Sequence, residues 1–205
     1  MIDNITWLGH ATFRIDADKV IYIDPWKLGG DPPKADIILI THDHYDHCEP
    51  ADVARIQRDD TVIVTTADCA GKLTGDVRTI SPGQILQIDG VVVEAVAAYN
   101  RDKEFHPRTN GWVGFVVTAG GQRIYHTGDS DLTDEMKAVR ADILLVPVGG
   151  TYTMTAEEAA EAANAIGPRW AVPMHYGDIV GSADDATRFE ELCRIPVRKL
   201  QSNRS

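Results

Sequence analysis

Odd and even positions separate over residues 5–15. Ile5, Trp7, Ala11, Phe13 and Ile15 fall on one side of an extended chain and Thr6, His10, Thr12 and Arg14 on the other, which predicts one half-buried strand. A polar turn at 16–19 precedes a return strand over 20–23, and Asp24-Pro25 ends it because proline cannot donate to a ladder. The run Ile37-Ile38-Leu39-Ile40 is apolar at every position and β-branched at three, the pattern of a strand covered on both faces. Short helices are predicted over 50–57, where proline occupies the first turn, and over 67–73. Strands are predicted over 61–65 and 77–80, then over 85–88 and 91–96 about an Asp89-Gly90 hairpin turn.

Residues 97–111 carry no periodicity, and a connection of that length between two strands is more often functional than idle. Strands at 112–118 and 122–125 flank Ala119-Gly120-Gly121, a helix is predicted over 132–139, and a second continuously apolar strand over 143–148. Thr155-x-x-Glu158 is a capping box opening an alanine-rich helix that Gly167-Pro168 stops near 166. A strand at 170–173 delivers Met174-His175-Tyr176-Gly177. Ser182-x-x-Asp185 caps a last helix to about 192, and 197–200 reads as a closing strand. Two runs of strands, each with helices, imply an α/β protein in which two mixed sheets lie face to face with helices outside, a four-layer αββα sandwich.

At 205 residues the chain is expected to be a single domain. Its formal net charge of −11, with Lys and Arg scattered, argues against a nucleic-acid partner, which needs a concentrated cationic footprint. Three widely spaced cysteines, Cys48, Cys69 and Cys193, fit reduced thiols better than a disulfide framework. The first residues lack a basic segment followed by an apolar one, and no run approaches spanning length. These features predict a cytoplasmic protein without integral membrane contact; a homo-oligomer is compatible with them.

The apolar strand 37–40 runs directly into Thr41-His42-Asp43-His44-Tyr45-Asp46-His47. His42 and His44, two apart, point to one side of an extended chain, whereas Asp46 and His47 need a turn to converge with them. Four nitrogen and oxygen donors in six residues, with no thiol among them, suit a divalent ion of borderline hardness. Asp129, in Gly128-Asp129, and His175 follow other strands, and rigid strand ends can hold remote residues at ligand distance.

His42-x-His44-x-Asp46-His47, with Trp7-Leu8-Gly9-His10-Ala11, Asp24-Pro25, Gly128-Asp129, Val146-Pro147-Val148-Gly149 and His175-Tyr176-Gly177 following in order, resembles the metallo-β-lactamase superfamily over nearly the whole chain. The closest resemblance is to the small branch containing ascorbate-6-phosphate lactonase-like and N-acyl-phosphatidylethanolamine phospholipase D-like proteins. The resemblance implies two divalent metal ions, zinc first and manganese, iron or nickel as alternatives. His42 and His44 would serve the first ion, Asp46, His47 and His175 the second, and Asp129 would lie between them.

The sequence departs from that pattern at the first ion's third histidine, where Ala98-Tyr99-Asn100 stands. His106, further along the loop, is preferred as the substitute over a weak Asn100 carbonyl or an open position, because imidazole is the commoner ligand. His10 and His126 are candidates to support ligands or to be satisfied structural residues. Cys48 reads as packed core.

The implied activity is hydrolysis of a small ester, lactone or phosphodiester by a metal-bound hydroxide, with Asp46 and Asp129 as the carboxylates that orient it. Two dications favour a small anionic substrate, and Arg101, Lys103 and Arg108 either clamp its charge or are simply solvated. Tyr152 and Tyr176 are candidate donors to a developing oxyanion. The competing readings are a metal-binding sensor or interaction module with little turnover, and a di-iron redox protein.

Overall fold

The computed structural model describes residues 2–204. One sheet contains β1 (Ile5–Trp7), β2 (Phe13–Asp16), β3 (Val20–Ile23), β4 (Ile37–Ile40), β5 (Val62–Thr65) and β6 (Asp76–Thr79), in that spatial order. The other runs β12 (Trp170–Met174), β11 (Ile143–Pro147), β10 (Gln122–His126), β9 (Val113–Ala119), β8 (Val91–Ala97) and β7 (Ile85–Ile88). Both are mixed: β3 to β6 pair in parallel, as do β10 to β12, and the remaining pairs are antiparallel.

Period-two patterning explains the layers. Ile37 and Leu39 of β4 pack between the sheets, while Ile38 and Ile40 face the outer helices α1 (Pro50–Ile56) and α2 (Ala67–Ala70). In β11, Ile143 and Leu145 enter the same central core, while Leu144 and Val146 meet α3 (Asp134–Ala138), α4 (Ala156–Ile166) and α5 (Ala183–Leu192). Three apolar layers therefore separate four structural ones, and the chain has the expected αββα architecture. The Thr155 and Ser182 capping boxes form as predicted. Among the described residues no helix is long and apolar enough to cross a membrane.

Two predicted strands differ from the structure. The stretch 5–15 is not one strand but two, folded back on each other with Ile5 opposite Ile15 and Trp7 opposite Phe13. This register returns odd residues to the core side, so the alternation survives the turn that interrupts it. The 197–200 strand does not form: Val197 makes one isolated bridge to Ala171. Pro196 has no N–H to extend the ladder, and the tail crosses to the other sheet, where Asn203 N–H donates to Trp7 O at 2.9 Å.

The parallel strands place the ends of β3, β4, β10, β11 and β12 on one rim. The β1–β2 turn and the loop after β8 lie on that rim too, because Phe13 pairs with Ile23 and Ala97 with Val113. Backbone bonds join the two sheets there: His175 N–H to His10 O at 2.9 Å, and Val113 N–H to Thr41 O at 3.2 Å.

Candidate metal centre

Six of the chain's seven histidines meet on this rim. The donor atoms of His42, His44 and His106 lie within 4.8 Å of one another, as do those of His10, Asp46, His47 and His175. Asp129, 4 % exposed, sits between the groups. Its Oδ2 lies 4.0 Å from Nε2 of His42 and 3.5 Å from that of His106 on one side, and 3.4 Å from His47 and 3.0 Å from His175 on the other. All seven predicted ligands are thus brought together, and His10 joins them through Nε2–H, which donates to Asp46 Oδ2 at 2.9 Å.

Residues 101–105 make an excursion that explains the displaced histidine. Asn100 N–H donates to His106 O at 2.8 Å, closing the loop so that His106 returns to the height of residue 100. Asn100 is therefore a neighbour of the imidazole. Its Nδ2 lies 3.2 Å from His106 Nδ1 and donates to Tyr152 O at 2.7 Å. The Tyr152 carbonyl fixes the amide nitrogen on this side, so His106 Nδ1 accepts and the neutral ring carries its hydrogen on Nε2, which an ion held there would have to displace.

Asp24, which the sequence marks as a strand end and as part of the Asp24-Pro25 motif without assigning its carboxylate a role, is fully buried. Its Oδ1 accepts from Thr41 N–H at 2.8 Å, and its Oδ2 accepts from Thr41 Oγ1 and from His47 Nδ1, both at 2.7 Å. Thr41 Oγ1, having given its proton to Asp24, accepts from His42 Nδ1 at 2.9 Å. One carboxylate thereby fixes the tautomer of an imidazole in each group and turns both Nε2 atoms inward.

Backbone strain gathers at the same place. Six described non-glycine residues have a left-handed backbone, and four of them are His10, Asp24, His106 and His175. Packing over-determines these conformations, which cost roughly 1–3 kcal/mol each. At Gly114 a Cβ would lie 2.6 Å from Thr127 O and 2.7 Å from His126 O, so glycine lets β9 approach the strand end that carries Asp129.

His126 is structural. Its Nε2–H donates to Ala11 O at 2.9 Å and its Nδ1 accepts from Gly128 N–H at 3.1 Å, which ties the β1–β2 turn to the Asp129 loop. Tyr176 packs on Trp7, with ring centroids 5.0 Å apart, whereas Tyr152 lines the cavity above the ligands. Cys48 lies in the outer core as expected.

The donor set fits divalent ions on an observation independent of sequence. The Nε2 atoms of His42, His47, His106 and His175 and Oδ1 of Asp129 are buried without hydrogen-bond partners. Buried polar atoms are ordinarily satisfied, and this convergence of nitrogen and carboxylate donors is what a cation would satisfy.

Charge coupling shows what loading requires. Burial, only partly opposed by Asp46, holds His10 at about 4; burial against Asp129 holds His106 at about 4. Burial also lowers His42, His44 and His126. Burial alone would lower His47, but Asp129 and Asp24 together reverse it and hold that ring well above its ordinary value. An ion must displace the His47 proton, so loading releases protons and weakens in acid. In Asp46, burial is outweighed by His10 and His47 and the carboxyl falls to about 2.

The metal-free protein is expected to lose stability between pH 6.5 and 4. The five lowered histidines titrate near 6.5 when unfolded and below it when folded, His10 and His106 at about 4, so the unfolded chain takes up protons first. Their contribution is intact above 6.5 and lost as the pH falls; His47 opposes it alone. Urea titrations at pH 7 and pH 5 should differ by on the order of 5 kcal/mol. Equal midpoints would show that these rings are not buried as neutral groups.

Residues 4–175 match the family model of the beta-lactamase superfamily domain. A metal-dependent hydrolase of Thermoplasma acidophilum is 34% identical over 203 residues, covering 92% of this chain and 89% of the relative. Another, of Thermococcus kodakarensis, is 35% identical over 206 residues, with 92% and 91% covered. Among solved structures, a protein assigned as a metal-dependent hydrolase from Parabacteroides distasonis superposes with a TM-score of 0.84 at 33% identity, covering 96% of this chain and 93% of the other.

Proposed function

The chain belongs to the metallo-β-lactamase superfamily, among its metal-dependent hydrolases, and from that premise we propose that it cleaves a small ester, lactone or phosphodiester at a centre for two divalent ions. The observation that carries the reading is the convergence of buried imidazole nitrogens on the single carboxylate of Asp129. His42, His44 and His106 would hold one ion, Asp46, His47 and His175 the other, and Asp129 both. Nitrogen and oxygen donors without thiolate favour zinc, with manganese, iron or nickel as alternatives. When bound, the ions supply Lewis acidity, activating water near neutral pH and polarising the oxygen of the bond to be cleaved.

The chain's own residues do the rest. Asp24 and Thr41 orient His47 and His42, so that inward-facing nitrogens need no reorganisation. His10 holds one oxygen of Asp46 and leaves the other to orient the attacking water. Asp129, whose carboxyl burial would raise but His175 and His47 hold well below the usual range, would stay ionised and neutralise charge between the ions. The reacting group is itself anionic or becomes so, which suits a cavity whose floor is cationic when loaded.

Protein reconstituted with zinc or manganese is expected to retain about two ions per chain after dialysis and to turn over a panel of phosphodiesters, lactones and thioesters. A chelator should abolish that turnover and added metal restore it. Loss of all metal on mild dialysis, with no turnover of any probe, would replace this reading with a binding module.

A further inference from the structure

The cavity over the ligands, about 240 Å³, has the metal centre as its floor and Tyr45, Phe105, Tyr152 and Ile179 as its walls. Among the described residues four large apolar side chains are more than a third exposed, and three of them are Tyr45 at 64%, Phe105 at 46% and Ile179 at 38%. They come from three separate segments: the histidine motif, the loop after β8 and the loop after β12. Phe105 and Tyr152 meet edge to face with centroids 4.9 Å apart, and Tyr45 meets Trp26 similarly at 6.1 Å. Singly exposed apolar residues are ordinary, but three converging on one cavity mark a surface kept apolar for a ligand.

No lysine or arginine is among the described residues lining this cavity. Four cations of the surrounding segments are paired elsewhere: Lys103 with Asp131, Lys72 with Asp43, Arg108 with Glu135 at 2.7 Å, and Arg204 with Asp178 at 2.7 Å. Arg101, Lys103 and Arg108, the loop cations that could have clamped a phosphate, do not line it. A substrate with a second phosphate or a carboxylate tail would meet no counter-charge above the floor, on a chain of net charge −11.

We propose that the substrate carries an uncharged apolar substituent of roughly phenyl size beside the bond that is cleaved, and that Tyr45, Phe105 and Ile179 are the residues that select it. Charge is confined to the group that reaches the ligands. The inference rests on the hydrolase reading for its chemistry and on the cavity walls for its specificity.

Calorimetry of zinc-loaded protein with methylphosphonate, benzylphosphonate and phosphonoacetate tests it, since all three offer the same head group and differ only in the tail. Benzylphosphonate is expected to bind about tenfold tighter than methylphosphonate, from burial of the ring, and phosphonoacetate more weakly than either. The double variant Phe105→Ser, Ile179→Ser should lose most of the benzyl advantage while keeping its zinc. Equal affinities, a preference for phosphonoacetate, an undiminished advantage in the double variant, or no binding of any of the three would each overturn the proposal. A benzyl preference without turnover of any ester, lactone or phosphodiester would leave this inference standing and fell the hydrolase reading; turnover without the preference would do the reverse.

Discussion

Replacing Asp129 by asparagine is expected to lower metal-dependent turnover by about a thousandfold or more while the protein remains folded. Asparagine has nearly the same shape, so no cavity opens and the loop after Gly128 keeps its path. What disappears is a negative charge whose Oδ2 lies between 3.0 and 4.0 Å from four imidazole nitrogens. In the metal-free protein, burial raises the Asp129 carboxyl, but His175 and His47 outweigh it and hold it well below the usual range. Its loss removes one of two carboxylates that raise His47, and that ring can become neutral with Asp24 still accepting from Nδ1. Stability without metal should also fall, by roughly 1–3 kcal/mol, because the carboxylate's pairing with the imidazoles is lost although no unpaired charge is left behind. With metal the difference is large, since ions that bind only the folded state stabilise it by mass action. Melting with and without zinc, metal content and turnover together separate these effects. An Asp129→Asn protein with wild-type turnover would remove the carboxylate from the centre of the chemistry.

Where a residue's role is set by its own neighbours in sequence, the chain could be read directly. The apolar runs of β4 and β11 announce burial on both faces, and Asp89-Gly90 supplies the two left-handed residues of a tight hairpin, with φ of 48° and 88°. The β1–β2 turn was hidden because its register preserves parity, so periodicity reads the same for one strand or two. His106 could be nominated by ligand chemistry, but its height above the sheets depends on one backbone bond from Asn100, which no local pattern encodes. His10 looked like the polar face of a strand. Its left-handed backbone, φ 51°, is what swings it under Asp46.

Asp24 shows the limit most clearly, because Asp-Pro at the end of a strand has a sufficient local explanation. Its actual partners, Thr41 and His47, lie 17 and 23 positions away and meet it only because β3 and β4 run in parallel. An aspartate before a proline gives no sign of what its carboxylate will hold.

Asp24→Ala is accordingly expected to be the most damaging single change outside the ligand set. Truncation leaves Thr41 N–H, Thr41 O–H and His47 Nδ1–H buried without an acceptor, at about 1–3 kcal/mol each in the unrelaxed limit. Relaxation reduces the sum, and the metal-free protein should lose about 3–5 kcal/mol, as when one member of a buried charge network is removed. Alanine also inherits a left-handed backbone, φ 46°, that an asparagine tolerates better. Asp24→Asn therefore keeps the backbone and one acceptor oxygen while losing the charge, and it should recover part of the stability. Metal affinity is the discriminating readout. Without the carboxylate, Thr41 no longer has to point its proton away from His42, and the rings of His42 and His47 are free to place hydrogen on the inward Nε2. Each group then loses an aligned donor, and affinity for both ions should fall by about 10–100-fold in the alanine protein. A merely structural Asp24 would lower stability and leave affinity, measured on the folded fraction, at the wild-type value. That result would mean the two imidazoles hold their tautomers without help from behind.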